Sequence, residues 1–268
     1  MHGNGRTRPG VAPRMRPSVL WVILAGCSVE PAAASVSVET VVTPAAHDPA
    51  AYESALARIE ARRLALGKRL SAAEGGAARE EVRTEARAYV LAALREVVFP
   101  AWMGMSWGLG PNSTPLRPHQ PGTEIACGYF VSSVLENVGL RLGTRFTFAQ
   151  APALHAQRSL APAEHDLHRF FSIPGDALAR RIAALGEGVY VIGLNNHIGF
   201  VDVHGGVVHV VHASYTGEQV VTSEPLAAAE VIANSRAAGY FVTPLFHDDR
   251  LIDAWLRGES VPLRKLGS

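Results

Sequence analysis

The chain has no apolar run approaching the roughly 20 residues of a membrane-spanning helix, which excludes a polytopic membrane protein. It also lacks a basic excess. The formal net charge is +1, but Arg6, Arg8, Arg14 and Arg16 stand in a leader without an acid. Removing residues 1–26 takes the 25 basic residues to 21 against 24 acidic ones, a net of −3. Binding to phosphate backbones calls for the opposite sign, so nucleic acid is excluded as a partner. Cysteine is nearly absent, with Cys27 and Cys127 the two in the chain. Charged residues make up 18% against 48% hydrophobic, a balance that excludes disorder and leaves 268 residues able to bury a sizeable core.

What is present begins with an export leader. The apolar run Val19–Ala25 is short even for a signal h-region and closes on Leu24-Ala25-Gly26-Cys27, which resembles the lipobox of bacterial lipoproteins. The resemblance implies a signal peptide over 1–26 and a lipidated Cys27 heading a flexible linker over 27–47. Several acyl chains, at about 0.8 kcal/mol per buried methylene, would tether the protein to a membrane surface without embedding it. An ordinary secretory cut near Ala32-Ala33-Ala34 is the alternative. The expected location is the cell envelope, lipid-anchored and facing the periplasm. Ser28 in place of Asp favours the outer membrane if the source is Gram-negative.

Asp48-Pro49 forms a helix start, and Tyr52, Leu56, Ile59 and Leu64 continue one apolar stripe to about Leu70. Gly75-Gly76 breaks it, and a second helix from about Ala77 to Val98 carries Val82, Ala86, Tyr89, Val90, Leu94 and Val97 at helical spacing. Residues 48–99 therefore read as a helical hairpin packed on a domain over 100–268.

From Pro100 to Gln120 the prolines and glycines around Trp102 and Trp107 predict a long loop, a frequent feature of binding sites. Ala126-Cys127-Gly128-Tyr129-Phe130 then opens a helix that Gly139 ends. A free thiol is about 3% ionised at pH 7, and the positive end of a helix favours the thiolate, so Cys127 is the candidate nucleophile. With Cys27 lipidated, Cys127 has no intramolecular disulfide partner.

Asp176–Leu185 reads as a helix closed by Gly186, and Gly188–Leu194 as a strand. His197–Val203, Gly205-Gly206 and Val207–Ser214 follow as a β-hairpin, with further strands at Gln219–Thr222 and Tyr240–Phe246. A two-residue turn places opposite each other positions whose numbers sum to 411, which sets His212 against Gly199 and on the face of His197. A three-residue turn including His204 changes the sum to 410 and puts His209 there instead. His197 can take the thiol proton while the third group orients its imidazole. The other histidines of the rear, His204 and His209, extend a second reading as a zinc site, although His209 and His212 project to opposite faces and no HExxH is present.

These three segments in this order, Ala-Cys127-Gly-Tyr-Phe-Val, His197-Ile-Gly-Phe-Val and Val-Val-His212-Ala-Ser, resemble the NlpC-type cell-wall cysteine peptidases over residues 100–215. Trp107-Gly108 resembles that family's Trp-Gly loop. The resemblance implies an α+β, papain-like fold in which the cysteine-bearing helix packs on an antiparallel sheet. It implies Cys127 as nucleophile, His197 as general base and His212 as orienting residue, with Trp107, Gly108 and Tyr129 as candidate substrate-binding residues and no cofactor or metal. The expected activity is hydrolysis of an amide bond in peptidoglycan or another peptide. The chain departs from the family's Asp-Cys-Ser-Gly-Phe in Ala126 and Gly128-Tyr129, and has Met105 where the family has tyrosine. A catalytically silent envelope lipoprotein binding wall or protein partners is the alternative reading.

Overall fold

The computed structural model describes residues 48–161 and 164–264. The leader, Cys27 and the 28–47 linker lie outside the described residues. In chain order come α1 (Pro49–Ala72), α2 (Gly76–Ala93), a π turn (Leu94–Val98), α3 (Phe99–Trp102), α4 (Cys127–Asn137) and β1 (Arg141–Leu142). They are followed by α5 (Arg145–Gln150), α6 (Ala153–Leu160), β2 (His168–Phe170), α7 (Gly175–Ala183), β3 (Gly188–Leu194), β4 (His197–His204) and β5 (Val207–Ala213). The last elements are β6 (Val221–Pro225), α8 (Glu230–Ser235), β7 (Tyr240–Pro244), α9 (Asp249–Arg257) and β8 (Ser260–Val261). The protein is thus mixed α+β, with a six-stranded antiparallel sheet in the order β2-β7-β3-β4-β5-β6 and a small parallel pair of β1 and β8.

Asp48 caps α1, its carboxylate accepting from the amides of Ala50 and Ala51 at 3.0 Å. The second helix runs further than its periodicity predicts. It passes through the π turn, where Phe99 N–H reaches Leu94 O, and continues to Trp102. In a regular α-helix Pro100 would lack its amide and crowd the carbonyl of Glu96; the widened turn just before it relieves that conflict. The long loop therefore begins after Trp102, not at Pro100.

The hairpin does not form a core of its own. Ile59, Leu66, Val82 and Val90 share one buried cluster with Phe130 and Val134 of α4 and with Phe200 of β4. Phe200 packs tilted against Phe99 and edge-on against Phe130, at ring separations of 5.3 and 5.9 Å. Polar ties reinforce this packing. The buried Arg63 donates to the carbonyls of Trp255 and Leu256 at 2.9 and 3.2 Å, where α9 ends, and pairs with Glu60. Tyr52 donates to Asn137 Oδ1 at 2.6 Å and so holds the far end of α4. Helix α4 is pinned between hairpin and sheet.

The sheet is covered on both faces, which is why β3 reads as an unbroken apolar run and is buried throughout. Val189, Val191, Phe200 and Val211 meet α4 and the hairpin. Tyr190, Ile192, Val201 and Val210 meet Leu178 and Ile182 of α7 and Val231 and Ile232 of α8. Between β4 and β5 the register pairs Phe200 with Val211 and His204 with Val207. Those pairs sum to 411. Gly205 and Gly206 both have positive φ, 57° and 78°, as a two-residue primed turn requires.

Candidate active site

Cys127 is the first residue of α4, after the extended Ala126, whose side chain makes no capping hydrogen bond. The backbone amides of Ile198, Gly128 and Cys127 itself act to favour its thiolate. The loop before it is fastened along the sheet edge: Trp107 N–H donates to Gln219 O at 2.7 Å, Val221 N–H to Met105 O at 2.8 Å and Ile125 N–H to Ser106 O at 2.8 Å. Gly128 has a steric cause. A Cβ there would lie 2.0 Å from the carbonyl oxygen of Ala149, so only glycine lets the end of α5 close over the start of α4.

The two-residue turn brings His197 and His212 to one face of the sheet. His197 Nε2 and His212 Nδ1 are 3.0 Å apart with the rings nearly perpendicular. Gly199 makes room for this, since a Cβ on it would come within 2.8 Å of His212 Cβ. The second nitrogen of His212, Nε2, is 3.0 Å from Glu224 Oε1 on β6. His197 Nδ1 is buried without a hydrogen-bond partner. Tyr215 packs its ring on that of His197 at 5.2 Å, and Trp107 leans on Tyr215 at 6.3 Å. His209 sits opposite Asp202, on the other side of the sheet, beside Ser223 Oγ at 3.2 Å.

Cys127 and His197 line one cleft of about 500 Å³. Its far wall is the Ala149–Ala153 corner between α5 and α6, and Asn196 and Leu194 close it on the sheet side. Among the described residues no acidic or basic side chain lines it other than His197, and besides Cys127 the remaining polar side chains there are Gln150 and Asn196. Of the sequence-predicted binding residues, none stands in this lining. Tyr129 supports the wall from behind, its hydroxyl accepting from Gln150 Nε2 at 2.7 Å. Trp107 acts at one remove, through Tyr215. Gly108 is buried under Glu124, whose carboxyl carbon would be 1.9 Å from an added Cβ.

Burial decides the electrostatics. It raises the Cys127 thiol above its ordinary value, against the pull of the three amides. The sequence expectation of a favoured thiolate is corrected here: the helix start is present, but the desolvation of this half-buried thiol, which lines a cleft between α5 and β4, outweighs it. Burial, and then the neighbouring His212, push His197 down to about 3. Burial also lowers His212, with the Glu224 carboxylate opposing. At neutral pH the resting pair is a thiol and an imidazole, both uncharged.

Glu224, Tyr215, Gln150 and Asn196 were missed by sequence reasoning. Glu224 alternates with Thr222 on the strand facing His212, but placing it needs the register across 214–220, where Gly217 and Gln219 take positive φ. That geometry left no readable pattern. Among the described residues no group of three His, Cys, Asp or Glu side chains is arranged to hold a metal ion. His204 pairs with Glu187 at 3.3 Å instead of joining the other two histidines. No protein-family model, curated protein or solved structure matches this chain.

Proposed function

We propose that the protein is a cysteine hydrolase of papain-like, NlpC-type architecture that cleaves an amide bond, in peptidoglycan stem peptides or a similar peptide of the cell envelope. One observation carries the reading. The only cysteine among the described residues and a buried histidine share a cleft, and that histidine has one ring nitrogen tied back to His212 and the other unpartnered. An unpartnered buried imidazole nitrogen costs about 1–3 kcal/mol, an arrangement better suited to meeting a reacting proton than to stability.

In this mechanism His197 Nδ1 takes the proton of the Cys127 thiol as the sulfur attacks the substrate carbonyl carbon and the C–S bond forms. The oxygen of the tetrahedral intermediate gains the negative charge and is met by amides at the start of α4. His197 then gives its proton to the amine nitrogen, the C–N bond breaks, and the amine leaves. Water, deprotonated by His197, attacks the thioester, and the acid departs as the thiol is restored. The Sγ to Nδ1 hydrogen bond is not made in the free protein; such contacts often tighten only when substrate binds. The uncharged cleft, with Gln150 and Asn196 as its amide-bearing residues, suits the backbone of a peptide.

Leu24-Ala25-Gly26-Cys27 supports an exported, lipid-anchored protein whose partner is the membrane surface through that anchor alone. The test of the activity is mass spectrometry of purified muropeptides before and after incubation with the wild-type chain and with Cys127→Ala. New fragments with the first and none with the second are expected. Absence of turnover with the wild type would favour the silent, binding lipoprotein.

A further inference from the structure

The hydrogen-bond chain that ends on Glu224 has a direction. A carboxylate can only accept, so the proton between Glu224 and His212 belongs to His212 Nε2, 3.0 Å away. His212 is fully buried, and burial keeps its ring neutral, which leaves Nδ1 as a bare acceptor. The proton in the 3.0 Å contact between the histidines must then sit on His197 Nε2. The remaining nitrogen, His197 Nδ1, is left with a lone pair and no partner. Were Glu224 a donor, each step would reverse, and His197 would present an N–H where the reaction needs a base.

We propose that Glu224 is a positioning residue that fixes the tautomers of both buried histidines, and so determines that His197 Nδ1 faces the reaction as an acceptor. Glu224 touches neither the cleft nor Cys127; it acts through His212. Its side chain is one-third exposed and opens on a separate cavity of about 260 Å³ that Glu218 and Glu230 also line, so a side chain of altered chemistry can be accommodated without disturbing the core. The tautomer assignment stands on the hydrogen-bond geometry and on the burial of His212, whereas its consequence for rate rests on the hydrolase reading above.

The experiment uses the full chain labelled with ¹⁵N-histidine, with each ring assigned by single replacement, and reads the protonated nitrogen from long-range ¹H–¹⁵N correlations. In the wild type both His197 and His212 should carry hydrogen on Nε2 and none on Nδ1. Glu224→Lys, which offers donors and no acceptor, should reverse both rings to Nδ1–H, and Glu224→Gln, which offers both, should give a mixture. A merely structural role for Glu224 would not move tautomers in this ordered way. Turnover of muropeptides should fall about 10-fold to 10³-fold in Glu224→Lys through kcat, with KM little changed, less than the roughly 10⁴-fold loss when the carboxylate touching the base itself is replaced in a triad, because Glu224 acts through His212. A wild-type His197 carrying hydrogen on Nδ1, or a folded Glu224→Lys with both rings unchanged, would overturn the proposal. Correct tautomers in a wild type without turnover would instead remove the hydrolase reading and leave the assignment intact.

Discussion

Replacing His212 with alanine and, separately, His209 with alanine sets two histidines three residues apart on one strand against each other. His212 is fully buried, with a nitrogen 3.0 Å from His197 on one side and another 3.0 Å from Glu224 on the other. Truncation leaves His197 Nε2 without an acceptor at a site where that ring is 4% exposed, a penalty of about 1–3 kcal/mol before any cavity cost is added. It also frees His197 to rotate and exchange tautomers, so kcat should drop by about 10² to 10⁴, the range for members of a triad that act as a unit. His209 lies on the opposite face with a single 3.2 Å contact to Ser223, and its loss should stay within about 0.5 kcal/mol and leave turnover near wild type. Steady-state hydrolysis of muropeptides together with urea unfolding separates the two effects. Damage from His209→Ala with a benign His212→Ala would refute the reasoning from register to site.

Other outcomes follow from burial and close contacts. Because the thiol is raised and His197 is lowered, iodoacetamide should modify Cys127 at pH 7 more slowly than it modifies free cysteine; faster labelling, followed by peptide mass spectrometry, would show a preformed ion pair. His197 is lowered on folding, so the unfolded chain binds the extra proton first, and stability should be lost as pH falls from about 6.5 toward 3, at up to about 1.4 kcal/mol per pH unit. Urea midpoints at pH 7 and pH 5 measure that slope, which His197→Gln should reduce; a slope unchanged by that replacement contradicts the assignment. Gly128→Ala should destabilise by about 1–3 kcal/mol, since its Cβ would meet Ala149 O at 2.0 Å, and thermal melting of the variant checks this. Phe200→Ala, which empties the junction of hairpin, α4 and sheet, should cost about 3–5 kcal/mol; a loss under 1 kcal/mol would mean the hairpin is not part of the core.

What was legible in the sequence was local and periodic. Asp48-Pro49, the start of α4 at Cys127, the strand Gly188–Leu194 and the paired glycines at 205–206 all carry their cause within a few residues, and the structure has each where the pattern puts it. The face shared by His197 and His212 was one of two parities the sequence allowed, and the two-residue turn at Gly205-Gly206 selects it. Other elements left weaker marks. Helices α5, α6 and α8 have six to eight residues, too short for a helical period to declare itself, yet α5 and α6 supply the cleft wall. Glu224 was hidden because its strand begins after an irregular loop. The misjudged state of the thiol has a plain physical source: a helix start is visible in sequence, but the burial that opposes it comes from α5 and β4, 20 to 70 residues downstream.

The central claim is that Cys127 forms a covalent bond with its substrate, and trapping that bond tests it most directly. The full chain is mixed with muropeptides, quenched in acid within a turnover and digested, and the Cys127 peptide is weighed. The account predicts an added mass equal to the acyl part of a cleaved substrate, removed by hydroxylamine as a thioester is, and missing in Cys127→Ala. Cleavage that continues in Cys127→Ala, or turnover by the wild type with Cys127 unmodified at every time point, would contradict it.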